Sequence, residues 1–420
     1  MVSYAGVDSA APAKWKSASD EWHALAKYAL DAAKDLRDYG VKPLAENWTD
    51  EVGKAAAGKF EKLANQFEVA YDILLAVDMV TDGVTTAIET AQSTLREARE
   101  LAGHYGLTIG ADGTITGPPV HNRTEAEEMG PYRTQVKDLI DQAVAQVTTA
   151  DGLAAAQLAR LAAQTGLTDP DKALNEFQTD ASHAQMQMLA ADIPVGQDPV
   201  TVRQWWDGLT PQQRTDLMRA EPVLVANLDG VPDDVRAQMR GNGKYDRVKL
   251  VQYALDHWNT ADPTDFGNNC TNFVSNALHE AGMKEKTSFW WGTTDDDGWM
   301  IGNRTGVDAV DKRLAYSDNW AAAENNQNFM LRHGGHEIAR PDVQPGDIIY
   351  YEQSGPNDSI GQGTTHHAAI VTAVMPDGEI KYTQHSDSYQ NVSLEGRINA
   401  TEKHEGAQNL RIVRPDPDWY

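Results

Sequence analysis

Large apolar residues recur every three or four positions through most of the first 190 residues; past about Gly241 they alternate instead in short runs. That change of period constrains the fold more than any other feature, because helix and strand bury their side chains at different spacings. Trp15, Trp22, Leu25, Tyr28, Leu36 and Tyr39 mark a first helix from about Ala11, with Ala filling between them. Gly40 and Pro43 in "YGVKPLAENW" are expected to break it. A longer helix is expected from about Glu51 to Leu101, carrying Phe60, Leu63, Phe67, Val69, Ile73, Leu74 and Val77, so that the two form a hairpin with these stripes in its core. Leu107, Ile109 and Ile115 around "ADG" predict a small β-hairpin, closed by the Pro-Pro pair. More helix follows from about Thr124 to Ala190, then a helical connector in which Asp198 and Thr210 read as helix starts and Pro211 as the first helical residue.

Beyond that, "QPGDIIYYE", "HHAAIVTAVM", "EIKYTQHS" and "QNLRIVR" read as strands separated by turn residues, notably "MPDGEI". Helix first and strands later describe an α+β domain. The segments are therefore 1–120, a helical hairpin domain with its small β-hairpin; 121–195, helical; 196–240, a helical connector; and 241–420, the α+β domain. A chain of 420 residues is long enough for this many parts.

Charge narrows the partners. The 36 basic and 62 acidic residues give a net charge of −26, which repels phosphate backbones and anionic headgroups, and no Lys/Arg run offsets it. Nucleic acid is therefore not expected as a partner. No apolar run is long enough for a membrane span, and the N-terminus lacks the basic start and apolar core of a signal peptide.

The chain has one cysteine, Cys270, so no intrachain disulfide forms. After it, Phe273, Val274, Ala277, Leu278 and Ala281 mark one face of a helix that Gly282 ends, with Asn268 or Asn269 as N-cap. A thiol in a helix's first turn is stabilised as thiolate by the dipole and the unpaired N–H groups, which also suit a developing oxyanion. A nucleophilic thiol needs a base. "TTHHAAIVTAV" offers His366 and His367, which alternation sends to opposite faces. "EIKYTQHSD", across the Asp-Gly turn, supplies Gln384, His385 and Asp387 beside them. The same groups contain zinc-ligand types, but adjacent strand histidines diverge and no His-x-x-x-His or Cys-x-x-Cys spacing is present, so no metal or other cofactor is expected. The "TTDDDG" run lacks the full spacing of a calcium loop and reads as a solvated turn.

Four blocks in order, "YDRVKLVQYALDHWN", "CTNFVSNALHEAGM", "SDNW" with "PGDIIYYE", and "HHAAIVTAV" with "YTQHSD", make the last 175 or so residues resemble the amidase-domain family, a branch of the papain-like NlpC and CHAP type of cysteine hydrolases. The resemblance implies an α+β papain-like cysteine hydrolase domain behind an all-α hairpin or bundle. It implies Cys270 as nucleophile, His367 as general base and His385 as the polar third member, with Asp387 the second choice. Where the family commonly has Asp before the cysteine, this chain has Asn269. The usual substrates of such relatives are cell-wall peptide or N-acetylmuramoyl amide bonds. Trp290, Trp291 and Trp320, between nucleophile and base, are candidates to line a substrate groove or to pack against the helix of Cys270.

The N-terminal half resembles the WXG-type helical hairpins of type VII secretion substrates. Trp48 begins "WTDEVGKAAAGKF", with Asp50 standing where that signature has Gly, and "YAGVD" at Tyr4–Asp8 has the Tyr-x-x-x-Asp form of an export signal. "WWDGLTPQQR" and "LDGVP" resemble connectors placed before hydrolase domains in actinobacterial proteins. Two classes of function follow. One is a cysteine amidase or endopeptidase on peptidoglycan, made in the cytoplasm and delivered by a type VII-like or injection route as toxin or lysin, with secretion machinery or an immunity protein as further partners. The other is a non-catalytic wall-binding or secretion-assembly protein with an amidase-like fold.

Overall fold

The computed structural model describes residues 2–119, 123–164, 166–260, 269–287, 297–301 and 316–420. They form two compact units: Met1–Pro194 with Gln204–Gln213, and Val195–Arg203 with Arg214–Tyr420. The first unit thus takes in the segment 1–120 and all of 121–195 except Val195.

The first unit is helical. A short α1 (Tyr4–Ser9) precedes α2 (Pro12–Asp35), a wide π-helical turn (Leu36–Val41) and α3 (Lys42–Asn47), after which α4 (Glu51–His104) runs for 54 residues, about 80 Å. The expected break at Gly40 and Pro43 is therefore displaced to Trp48–Asp50. The wide turn lets Lys42 N–H reach the carbonyl of Arg37 and brings Pro43 in at the start of the next helical stretch, where its missing N–H is harmless. Asp50 caps α4 through hydrogen bonds of 2.9 Å from the N–H groups of Val52 and Gly53. Gly53 has to be glycine, because a Cβ there would lie 1.9 Å from the Trp48 carbonyl oxygen.

The β-hairpin forms as expected, with β1 (Thr108–Ile109) against β2 (Ile115–Thr116). The helical region beyond it is interrupted: α5 (Arg123–Ala162), then α6 (Pro170–Lys172), a second π-helical turn (Ala173–Gln178) and α7 (Thr179–Ala190). α4 is the axis of this unit, packed by α2, α5 and α7 around Leu75, Met79, Ile88, Leu95, Val136 and Met188. One expectation reverses here. α2 buries Ala26, Ala29 and Ala33 against α4, while Trp15, Trp22, Tyr28 and Tyr39 stay 37–81% exposed. Small residues let two helices approach closely, which turns the bulky stripe outward.

The chain then forms α8 (Pro199–Gly208) and α9 (Pro211–Ala220), started by Asp198 and Thr210 side chains as expected, with Gln204–Gln213 counted in the first unit and the flanking residues in the second. The second unit continues with α10 (Pro222–Asn227), α11 (Asp233–Arg240), α12 (Arg247–His257), α13 (Cys270–Glu280), α14 (Asp318–Ala321) and α15 (Ala323–Arg332). There follow β3 (His336–Glu337), β4 (Ile348–Gln353), β5 (Thr365–Val374), β6 (Ile380–Gln384), β7 (Tyr389–Ser393), α16 (Leu394–Glu405) and β8 (Gln408–Arg414). The strands pair antiparallel in the order β3-β8-β4-β5-β6-β7. One core joins α12, α13 and α15 to the sheet through Leu250, Phe273, Leu278, Phe329, Tyr350 and Ile370; the other carries Ile349, Tyr351, Val371, Tyr382 and Leu394.

The buried face of α13 carries polar residues, and two indoles explain them. Trp320 is fully buried and stacks on Trp299 with ring centroids 4.7 Å apart. Its N–H donates to Asn272 Oδ1 at 2.8 Å, the Trp299 N–H donates to Ser275 Oγ at 3.1 Å, and that hydroxyl donates to the Trp320 carbonyl at 2.9 Å. Trp320 therefore belongs to the core and not to a substrate groove; its ring is spent on holding the helix of Cys270. Trp290 and Trp291 lie outside the described residues, as does most of the "TTDDDG" run. Trp320→Ala is expected to lower stability by about 3–5 kcal/mol, because it opens a cavity and removes the hydrogen bond to Asn272, as measured by urea unfolding. Among the described residues no helix is long and apolar enough to cross a membrane.

Candidate active site

α13 begins at Cys270 and ends before Gly282, whose φ of +94° suits a residue without Cβ. Asn269 occupies the N-cap position but its side chain makes no capping bond. Its Oδ1 instead accepts from Asn272 Nδ2 at 2.8 Å, and its Nδ2 points at His385 Nδ1 at 3.3 Å. The asparagine expected to cap the helix is thus drawn aside, which keeps its oxygen away from the N–H groups of the first turn. Asn268, the other expected cap, lies outside the described residues.

The Cys270 thiol is 3% exposed and stands beside His367 at the start of β5. Burial pushes the thiol pKa up, but the His367 charge and hydrogen bond, the Thr271 hydroxyl and the Ala368 N–H outweigh it and bring the thiol down to about 7. Burial pulls the His367 imidazole down, and the Cys270 thiolate, the bond to it and the bond to Gln384 overcome this and raise it. Both shifts favour a thiolate–imidazolium pair, whose two titrations belong to the pair and not to either residue alone.

Of the two strand histidines, only His367 faces the thiol. His366 turns to Gln408 Oε1 at 2.8 Å and lies 3.7 Å from the Glu405 carboxylate. The expected third position does not hold His385 or Asp387. His367 Nε2–H donates to Gln384 Oε1 at 2.8 Å, which leaves Nδ1 for the thiol. The Gln384 amide is oriented from behind: its Nε2 donates to the carbonyls of Ser386 and Asp387 at 3.1 and 3.0 Å, so its oxygen must point at the imidazole. His385 points away, donating from Nε2 to the Thr260 carbonyl at 3.0 Å and accepting the Ser386 N–H at Nδ1 at 3.0 Å. Asp387 meets the site through its carbonyl, with no hydrogen bond from its carboxylate to His367.

The cause is a register shift. Next to the Asp-Gly turn, Val374 pairs with Ile380 and Ala373 with Lys381; extended, that line sets His367 opposite Asp387, on the face of His385. An irregularity between Val371 and Ala373 moves the pairing by one, to Val371 with Tyr382 and Ile370 with Thr383. Extended, the new line sets His367 opposite Ser386, on the face of Gln384. A one-residue slip exchanges every side chain between faces.

Gln384→Ala is expected to lower turnover about 10- to 100-fold, the loss of one hydrogen bond to a charged ring. Gln384→Glu sets a negative charge on the imidazolium, so the alkaline limb of the pH–rate profile should move to higher pH; steady-state rates across pH check both. Among the described residues no group of His, Cys, Asp and Glu is arranged to hold a metal ion.

A thiol on a helix N-terminus, an imidazole on a neighbouring strand and an amide fixed behind it form one hydrogen-bonded chain in a helix-and-sheet domain. Residues 244–407 match the family model described as "Putative amidase domain", so this part of the chain is amidase-like. "Uncharacterized protein YhbB" of Bacillus subtilis (strain 168) is 29% identical over 163 residues, covering 34% of this chain and 46% of that relative. The chain thus spans less than half the length of that relative. No solved structure matches significantly.

Proposed function

We propose that residues 241–420 form a cysteine-dependent amide hydrolase of papain-like type, acting on peptidoglycan peptide or N-acetylmuramoyl amide bonds. The observation that carries this reading is the Cys270–His367–Gln384 chain, with its thiol lowered to about 7 although buried. The Cys270 thiolate attacks the amide carbon, and the oxygen takes up the negative charge facing the first-turn N–H groups of α13. The tetrahedral adduct collapses as the imidazolium of His367 gives its proton to the leaving amine, which leaves a thioester on Sγ. The neutral imidazole then takes a proton from water, the hydroxide attacks the thioester, and the carboxylic acid departs as the thiolate and imidazolium are restored.

The substrate class is supported by the amidase-domain resemblance, and the helical half by its hairpin with Trp48 at the bend, which fits a delivery module for a secretion or injection route. A digest of purified peptidoglycan with the whole protein, read by mass spectrometry for new amines and fragments, tests the substrate. Fragments ending in a new amine and carboxylate name the bond. Peptidoglycan left intact, while small amide substrates are cut, would keep the hydrolase and remove the wall as its target.

A further inference from the structure

The turn that follows β6 makes a second contact with the catalytic helix, separate from the Gln384 bond. Ser386 Oγ accepts the backbone N–H of Asn269, the residue before the nucleophile, at 2.7 Å. Ser386 and Asp387 both adopt left-handed backbone, with φ of 64° and 54°. That conformation is unfavourable for side chains other than glycine and asparagine, and glycine would sit there without strain. A serine held in it brings one thing glycine lacks, the hydroxyl that reaches Asn269.

We propose that Ser386 is a positioning residue: by holding the Asn269 amide, its hydroxyl fixes where the Cys270 thiol stands against His367. The inference rests on the reading of Cys270 and His367 given above. Gln384, the last residue of β6, faces the base, and Ser386, in the left-handed turn just beyond it, faces the nucleophile's helix. One short turn therefore holds both partners, the imidazole through Gln384 Oε1 and the helix start through Ser386 Oγ. Asn269 needs such an anchor because its own side chain does not cap the helix, and its backbone, φ −109° and ψ 5°, lies outside the extended region usual for a cap. His385 completes the hold: its Nδ1 accepts the Ser386 backbone N–H and faces the Asn269 side-chain Nδ2 at 3.3 Å, while its Nε2–H is tied to the Thr260 carbonyl. Ser386 itself has no hydrogen bond to the thiol or the imidazole, so its effect passes through the Asn269 backbone.

The test uses Cys270, the one cysteine of these 420 residues, as its own probe. Alkylation by iodoacetamide is followed by intact mass across pH for wild type, Ser386→Gly and Ser386→Ala, with thermal unfolding of each. Ser386→Gly relieves the left-handed strain, so its melting temperature should hold or rise; Ser386→Ala keeps the strain and should melt no higher than wild type. In both, the midpoint of alkylation should move up from near 7 by as much as about one pH unit, because the thiol is held less firmly against the imidazolium. Unchanged midpoints in folded variants overturn the proposal. So does a shift in the glycine variant alone, which would assign the effect to backbone freedom and not to the hydroxyl. A wild-type midpoint at the ordinary thiol value of about 8.5 would instead overturn the thiolate–imidazolium reading, and this inference with it.

Discussion

Cys270→Ala should abolish amide hydrolysis, with a fall in kcat/KM on the order of 10⁴-fold or more, while the protein folds as before. The size follows from the chemistry: without the thiol no thioester forms, and what remains is the help that first-turn N–H groups and bound geometry give to a direct attack by water. The fold should tolerate the change because alanine is a good helix former and the thiol's bonds are to His367, Thr271 and the Ala368 N–H, not to the core around Leu278 and Phe329. Initial rates on any amide substrate that the wild type cuts, together with a melting curve, check it. Activity retained within tenfold in the folded variant would remove Cys270 from the reaction.

His367→Ala should approach the same loss by a different route. Two functions go at once, the proton given to the leaving amine and the charge that holds the thiolate. Burial is the largest influence on the Cys270 thiol and it pushes the pKa up, so without the imidazolium the thiol should titrate above its ordinary value of about 8.5 instead of near 7. In wild type, alkylation should rise as pH increases through about 7. Turnover should rise with it and fall again at higher pH, as His367, itself raised, loses the proton that the leaving amine needs. In His367→Ala the acid limb of alkylation moves up by more than about one unit and the alkaline fall in turnover disappears with the group that caused it. An alkylation profile identical to wild type would show that the two residues do not interact.

The placing of Cys270 at a helix start and of His367 at a strand mouth was legible in the sequence because each depends on local pattern. A cysteine at the first position of a strongly amphipathic helix, and a histidine at the mouth of an apolar strand, need only the spacing of their neighbours to be placed. The third member depends on register across a hairpin. A single irregularity between Val371 and Ala373 moves Gln384 into the place where undisturbed pairing would bring His385 and Asp387. Nothing in "HHAAIVTAVMPDGEIKYTQHSD" marks that irregularity, although Gln384 stood in view beside the two residues preferred to it.

Trp320 was ambiguous for another reason. Tryptophan serves grooves and cores alike, and the deciding signal lay elsewhere, in Asn272 and Ser275 on the buried face of α13, which hydrogen-bond the indoles. In the helical half, periodicity found α2 and α4 but not which stripe would be inside. The bulky residues of α2 carry the stronger pattern, yet its alanines make the closer contact with α4. Strand β7 and helix α16 escaped detection because "YQNVS" hardly alternates and "LEGRINATEKHE" has few apolar residues to set a period.

The proposed hydrolysis runs through a covalent bond between Cys270 and substrate, and intact-protein mass spectrometry during turnover, with a rapid acid quench, observes it most directly. The expected result is a wild-type species heavier by the acyl fragment of the substrate, cleaved by hydroxylamine and absent from Cys270→Ala. Hydrolysis that continues in the Cys270→Ala protein, with no acylated species in wild type, would contradict it.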